Sequence, residues 1–199
     1  MTEKILIILL PLIFLGTFIT RNIIVKARTR QTIRASDPVI TATIILTNLC
    51  IFITIISTYS NYWYKFMGVI LFLRSPVISY VGLCIFGISI VTGYFFSGQL
   101  KQSWRIGVHK NQKIELIQNG VYAYIRNPYF LSYYAMFFGL FLVRPSFVMT
   151  VLVIVTIAVY HRMVLKEESY LLTTHGNKYE EYKNRTGRYF PCFFKRNHY

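Results

Sequence analysis

Acidic residues are scarce in this chain of 199 residues, which has 7 Asp and Glu against 22 Lys and Arg and a formal net charge of +15. Charged residues of both signs make up only 15%, whereas a soluble domain has about 25%. The three cysteines form no C-x-x-C pair, so the sequence predicts neither a disulfide framework nor a metal site. A glycine-rich nucleotide loop is also missing, which argues against a Rossmann-type domain. The shortage of charge indicates that lipid surrounds much of the surface.

Long apolar runs are what the chain has instead. They cover residues 5–20 (extendable to 25), 39–59, 77–96, 130–143 and 147–160. The first run lacks a small-x-small cleavage pattern, so we expect a retained helix and not a signal peptide. A run of about 20 apolar residues crosses a bilayer. The last two runs are shorter and separated only by Arg144-Pro145-Ser146. They form either a tight helical hairpin whose ends extend into flanking polar residues, which we favour, or a re-entrant pair. Residues 161–172 are then expected to continue the last helix out of the membrane.

The basic residues alternate between the two sides predicted by these runs. If the N-terminus lies outside the cell, the outer segments hold Lys4, Lys65, Arg74 and Arg144. The inner segments hold the other 18 cations. This asymmetry follows the positive-inside rule and predicts that the polar segments 97–128 and 161–199 face the cytosol. We expect such cations to meet anionic headgroups and not nucleic acid.

These patterns predict an all-α integral membrane bundle of about five transmembrane helices. The last two helices form the short hairpin, and a cytosolic C-terminal helical segment follows. We expect a single domain over 1–199, with N-terminal spans in 1–96 and the catalytic region in 97–199.

Two polar features stand out in the inner segments. Glu167-Glu168 lies just beyond the last apolar run, where a carboxylate near hydrocarbon is costly unless it is paired. It could instead be a solvated helix end balanced by Arg162 and Lys166. The second feature is Arg126-Asn127-Pro128 among several tyrosines, for which the alternative is an aromatic belt with one snorkelling arginine.

Taken together, the residues 113–130, the pair Glu167-Glu168, and the segments 175–182 and 186–191 resemble a known pattern. The pattern is that of the isoprenylcysteine carboxyl methyltransferase family, integral membrane enzymes that have phospholipid methyltransferases as relatives. The resemblance covers about 104–191. It implies S-adenosylmethionine as cofactor on the cytosolic side, with no metal, and a lipid or lipidated acceptor.

The resemblance also implies site residues. Carried over position by position, the cofactor-binding residues are Ile114, Glu115, Leu116, Ile117, Tyr122, Asn127, Pro128, Tyr129, Phe130 and Glu167, with Glu168 as second choice. Asn127 replaces the family histidine, and an amide cannot titrate near neutral pH. The family arginine near the acceptor falls at Met163, so the neighbouring Arg162 is the candidate, with Asn127, for a catalytic role.

Three functions remain open at this point. The leading hypothesis is methyl transfer to the carboxylate of an isoprenylcysteine or similar acceptor, which needs no general base. The second is N-methylation of a phospholipid amine, for which His109, His161 or Glu168 could act as base. The third is a non-enzymatic membrane protein that binds anionic lipid. The sequence does not indicate which oligomeric state the protein has.

Overall fold

The computed structural model describes residues 2–29, 37–100 and 115–192. Two short 3-10 turns, Leu71–Leu73 and Gly120–Ala123, separate some of the helices. The helices are α1 (Thr2–Thr29), α2 (Pro38–Tyr59), α3 (Asn61–Phe66), α4 (Pro76–Gln99), α5 (Pro128–Val143), α6 (Phe147–His175) and α7 (Asn177–Arg185). Within these ranges, extended pairing is limited to two isolated bridges. The all-α prediction is confirmed.

Four of the helices are long and apolar enough to cross a membrane, namely α1, α2, α4 and α6. The fifth apolar helix, α5, has only 16 residues. This agrees with the predicted integral membrane bundle of about five helices. The start of α2 also follows the prediction, because the Asp37 carboxylate accepts a hydrogen bond from the backbone N–H of Val39 at 2.7 Å and Pro38 begins the helix.

The helices α4 and α5 lie against each other along most of their length. At one end Gly82 faces Gly139 so closely that a Cβ on Gly82 would lie 2.6 Å from the Gly139 carbonyl oxygen. Towards the other end, a Cβ on Gly93 would lie 2.9 Å from Oγ of Ser132. Small residues thus allow the two backbones to touch. Because α5 packs against α4 from Gly82 to Gly93, the packing favours the hairpin over the re-entrant pair.

The hairpin turns at Arg144-Pro145-Ser146, and its second helix extends into the polar residues after the apolar run, both as the sequence predicted. α6 continues for 29 residues to His175, well beyond the end of the apolar run at Tyr160. The polar residues after Tyr160 therefore belong to the same helix. Lys166 on this extension pairs with Asp37 at 3.1 Å and ties the start of α2 to α6.

The segment between α2 and α4 contains α3 and the 3-10 turn Leu71–Leu73. It is separate from α4 and pairs with the hairpin turn. The backbone N–H of Ile70 donates to the Pro145 carbonyl at 3.1 Å, and that of Phe147 donates to the Gly68 carbonyl at 2.9 Å. This pairing fixes one end of the bundle, and the polar loops gather at the other.

Candidate active site

A cavity of about 390 Å³ runs from the polar end of the bundle into its apolar interior. Its polar end is formed by the loop before α5, the extension of α6, and α7. Its apolar end lies between α1 and α2, where Leu12, Leu15, Ile51 and Ile55 line it. A single space therefore joins polar and apolar surroundings.

The loop before α5 is held in place by contacts to α4 and α7. Gly120 has a positive φ of 60°, a conformation that glycine adopts without strain. The next N–H, of Val121, donates to Oε1 of Gln99 at 3.0 Å. Tyr122 is 5% exposed and donates from its hydroxyl to the Phe96 carbonyl at 3.3 Å. The hydroxyl of Tyr182 donates to the Tyr122 carbonyl at 2.7 Å, so the backbone at Tyr122 is fixed from both sides.

Glu168 is the centre of a buried ion cluster beside the cavity. Its Oε1 accepts from Nδ2 of Asn127 at 2.8 Å and from Nε of Arg126 at 3.2 Å. Its Oε2 accepts from Nη2 of Arg188 at 2.8 Å. Glu168 is only 7% exposed, and these donors offset the cost of burying its charge. The hydrogen bond to Glu168 in turn raises the pKa of Arg188.

The C-terminal segment closes this cluster by pairing with the loop. The N–H groups of Arg126 and Asn127 donate to the carbonyls of Gly187 and Arg188 at 2.8 and 3.0 Å. The side chain of Arg126 also donates to the carbonyls of Lys183 and Thr186. Arg126 is therefore engaged by Glu168 and by the end of α7.

Most of the residues predicted from the sequence meet at the cavity. Eight of them line it. These are Glu115, Leu116, Ile117, Tyr122, Asn127, Tyr129, Phe130 and Glu167. Pro128 is buried as the first residue of α5, and Glu168 lies in the ion cluster. Ile114 lies outside the described residues.

Arg162 is not among the cavity residues, and its side chain is exposed. The following position of α6 differs, because Met163 is buried and lines the cavity. Adjacent residues on a helix point about 100° apart, which accounts for the difference. The geometry brings Met163, and not Arg162, to the site.

Several cavity residues were missed by the sequence reasoning. Tyr170, Tyr179 and Tyr182 contribute aromatic rings to the polar end. Tyr179 is 1% exposed, and its hydroxyl has no hydrogen-bond partner within the described part of the chain. Burial raises the pKa of Tyr179, so it remains a neutral donor. A buried hydroxyl without a partner is costly, and its place on the cavity wall suits a donor for a ligand. The spacing G-x-x-Y-x-x-Y could have indicated this pair of tyrosines.

Comparison with known proteins gives the family. A sequence model of the phospholipid methyltransferase family matches residues 77–178, just over half of the chain. The chain belongs to this family. The match covers α4, the loop before α5, α5, and the whole of α6, which carry much of the cavity and the ion cluster. Membership supports a methyltransferase in the membrane and confirms the predicted relationship.

A curated relative of the family comes from Schizosaccharomyces pombe and is named protein-S-isoprenylcysteine O-methyltransferase. It is 28% identical over 83 residues, which are 41% of this chain and 35% of the relative. The matched region therefore spans about a third of the relative's length.

Among residues 2–29, 37–100 and 115–192, no group of His, Cys, Asp or Glu is arranged to hold a metal ion.

Proposed function

We propose that the protein transfers a methyl group from S-adenosylmethionine to the carboxylate of an isoprenylcysteine or similar lipid-like acceptor. One observation carries the proposal. The same cavity has a polar end lined by Glu167, Asn127 and Tyr122 and an apolar end between α1 and α2. A charged cofactor and an apolar acceptor could therefore meet within it.

The polar end fits the cofactor chemically. S-adenosylmethionine has a cationic sulfonium, an amino group, hydroxyls and a flat ring. Glu115 and Glu167 bring carboxylates to the cavity, Tyr122 brings an aromatic ring, and Tyr179 brings the hydroxyl without a partner. In the proposal, Glu167 accepts hydrogen bonds from the cofactor, and Leu116, Ile117, Tyr129 and Phe130 pack against it. For Ile114 and Pro128, the family pattern alone supports a cofactor-binding role.

When bound, the cofactor supplies an activated methyl group for in-line displacement. The chain's own contribution is alignment and exclusion of water, which can supply a large part of a barrier reduction. Asn127 would orient the methionine end through its amide, and Glu168 holds that amide at 2.8 Å. We therefore assign Glu168 a positioning role and not direct contact with the cofactor. A carboxylate acceptor is ionised at neutral pH, so no residue has to remove a proton.

A phospholipid amine is the second candidate acceptor, and the family match favours it. An amine must lose a proton first. Of the candidate bases, His161 is bonded through Nδ1 to the Tyr189 hydroxyl at 2.7 Å, Glu168 is paired with arginines, and His109 lies outside the described residues. Glu115 and Glu167 are the carboxylates at the cavity. The structure adds them to the candidate bases for this alternative.

Arg162 keeps its proposed role only as an orienting cation for an anionic acceptor. Its exposed position outside the cavity does not support that role. If Arg162 orients a carboxylate, Arg162→Gln raises KM for the acceptor with kcat nearly unchanged. Equal KM in the variant and the parent protein would remove Arg162 from the site.

The deciding experiment compares two acceptors with purified protein in lipid nanodiscs. Labelled S-adenosylmethionine is offered with a farnesylcysteine analogue or with phosphatidylethanolamine. A base-labile methyl ester on the first acceptor is expected. A base-stable N-methyl product on the second would replace the proposal with its alternative. Absence of cofactor binding and of label on either acceptor would favour the non-enzymatic hypothesis.

The matched pair Glu167→Gln and Glu181→Gln controls for charge in this assay. Both substitutions remove one carboxylate, but Glu181 is exposed on α7 and does not line the cavity. Loss of transfer in the first variant alone would tie the activity to the cavity.

A further inference from the structure

A second cavity lies at the opposite end of the bundle from the candidate active site. It measures about 250 Å³ and lies where α2 ends, α4 begins and the α5–α6 hairpin turns. Its wall is polar for a membrane protein. Glu3, Thr58, Asn61, Tyr64, Arg74 and Arg144 are among its lining residues. The proposed methyl transfer uses none of them.

Arg144 is held firmly at the edge of this cavity. Its Nη1 donates to Oε1 of Glu3 at 2.8 Å and to the Val143 carbonyl at 3.0 Å. Ser79 donates to the same Glu3 oxygen at 2.7 Å. Both oxygen contacts of Arg144 use Nη1, so in the described ranges Nε and Nη2 have no protein acceptor. The guanidinium is thus fixed in position with donors to spare.

Arg74 contacts the same aromatic ring as Arg144 and lines the same cavity. The guanidinium carbons of Arg74 and Arg144 lie 5.6 and 5.9 Å from the ring centroid of Tyr64. Tyr64 is 5% exposed and donates from its hydroxyl to the Pro145 carbonyl at 3.3 Å. The salt bridges of the described residues include none for Arg74. Two cations therefore lie within 6 Å of the centre of one buried ring, in the wall of one cavity.

The surrounding surface places this cavity at the level of lipid headgroups. Trp63 lies beside it, and Tyr62, Phe66, Leu71 and Phe72 are more than 70% exposed. Aromatic side chains of this kind concentrate at the membrane–water interface. The segments that the sequence predicts to lie outside hold the cations Lys4, Lys65, Arg74 and Arg144. Their acidic residue is Glu3. The region is therefore locally positive where headgroup phosphates lie.

We propose that this cavity binds the phosphate of an anionic phospholipid in the leaflet opposite the candidate active site. Arg74 and the remaining donors of Arg144 would contact the phosphate oxygens, as guanidinium groups commonly do. The neutral polar groups of Thr58 and Asn61 line the same space and suit a hydroxylated headgroup. An anionic lipid would also offset the repulsion between the two arginines, and a zwitterionic lipid would do so less well.

The test is a lipid titration of the purified full chain in detergent, followed by native mass spectrometry. Phosphatidylglycerol and phosphatidylcholine are the two probes. We expect tighter binding of phosphatidylglycerol, and about fivefold weaker binding in Arg74→Gln, from roughly 1 kcal/mol per cation near a headgroup. Lys65→Gln removes a cation of the same end that does not line the cavity and should leave the affinity unchanged.

A second variant separates the guanidinium from the overall charge. The double substitution Glu3→Gln and Arg144→Gln keeps the net charge and leaves no charge without its partner. It should still weaken phosphatidylglycerol binding. A melting curve for each variant confirms that it is folded.

Three results would overturn the proposal. They are equal affinity of Arg74→Gln and the parent protein, equal weakening by Lys65→Gln, and binding of phosphatidylcholine as tight as that of phosphatidylglycerol. Displacement of the lipid by millimolar inorganic phosphate would assign the site to free phosphate. None of these readouts depends on methyl transfer.

Discussion

The amide of Asn127 donates to Oε1 of Glu168 across 2.8 Å, so the residue that replaces the family histidine is held by the second of two adjacent carboxylates. The first carboxylate, Glu167, lines the cavity. In the proposed function, these neighbouring positions on one helix have separate tasks, one towards the ligand and one towards the fold. Substituting each in turn should separate the two tasks.

Glu168→Gln should destabilise the protein. The change leaves Arg126 and Arg188 without their carboxylate, and Arg126 is only 8% exposed in its side chain. Breaking a buried ion pair by removing one partner costs about 3 kcal/mol. Unfolding in a denaturing detergent titration measures the cost. Glu181→Gln is the charge-matched control, and equal stability of both variants would contradict the cluster's structural role.

Glu167→Gln should have the opposite profile. Stability should fall less than in Glu168→Gln, because Glu167 is not part of the buried ion cluster. Affinity for S-adenosylmethionine should fall at least about tenfold, since one charge-assisted hydrogen bond is worth roughly 1.5–3 kcal/mol. Calorimetric titration with the cofactor gives the affinity. Retained affinity together with lost stability would exchange the roles of the two glutamates.

Tyr179→Phe should weaken cofactor binding without weakening the fold. The hydroxyl has no partner in the described part of the chain, so its removal should raise stability by up to about 1 kcal/mol. The matched variant Tyr182→Phe removes the 2.7 Å bond to the Tyr122 carbonyl and should lower stability by about 1 kcal/mol. Thermal melts with and without cofactor measure both effects. Destabilisation by Tyr179→Phe would indicate a protein partner for its hydroxyl.

Gly139→Ala should destabilise the α4–α5 pair. The new Cβ would lie 2.7 Å from the Gly82 carbonyl oxygen, and backbone cannot yield as a flexible side chain can. Overpacking of this kind costs about 1–3 kcal/mol. Gly16→Ala on α1 is the control, because nothing lies within 4 Å of its Cβ position. Unchanged stability of Gly139→Ala would mean that the two helices can separate slightly without loss of stability.

The pH profile should identify the acceptor. Burial raises the pKa of Tyr122 and that of Tyr182 to about 12, so these phenols stay protonated and do not titrate below pH 10. With a carboxylate acceptor, kcat/KM should be level from about pH 6 to pH 9, since carboxyl groups ionise near pH 4. With an amine acceptor, the rate should rise about tenfold per pH unit below the pKa of the amine, near 10. The slope is read from initial rates at saturating cofactor.

Hydropathy and capping signals were sufficient to predict the membrane helices and the continuation of the last helix beyond its apolar run, but they did not indicate which groups pair with the charges there. The apolar run ends at Tyr160, and on the polar extension Lys166 pairs with Asp37 and Glu168 with Arg126 and Arg188. These partners are distant in sequence. Local patterns cannot indicate that such charges will be compensated.

Family spacing brought eight predicted residues to one cavity, and it placed Glu167 ahead of Glu168 and the family arginine position at Met163. Both of these positions line the cavity, whereas Arg162, chosen for its charge, does not. A helix turns by about 100° per residue, and its orientation depends on packing against α2 and α5. The pairing of Arg126 and Asn127 with Gly187 and Arg188 likewise joins segments about sixty residues apart with no local signal.

In the proposed function, the apolar end of the first cavity sets how much of the acceptor's tail the protein contacts. Its lining on α1 runs from Ile8 to Phe18, a rise of about 15 Å along a helix. A tail of that length packs against the two helices, and because lipid is as apolar as this lining, each methylene gains packing contacts and little else. A longer tail has to leave between α1 and α2 into the bilayer, where extra carbons gain nothing over their original surroundings. Affinity should therefore increase with chain length and then level off, so that the two helices act as a ruler for the substrate.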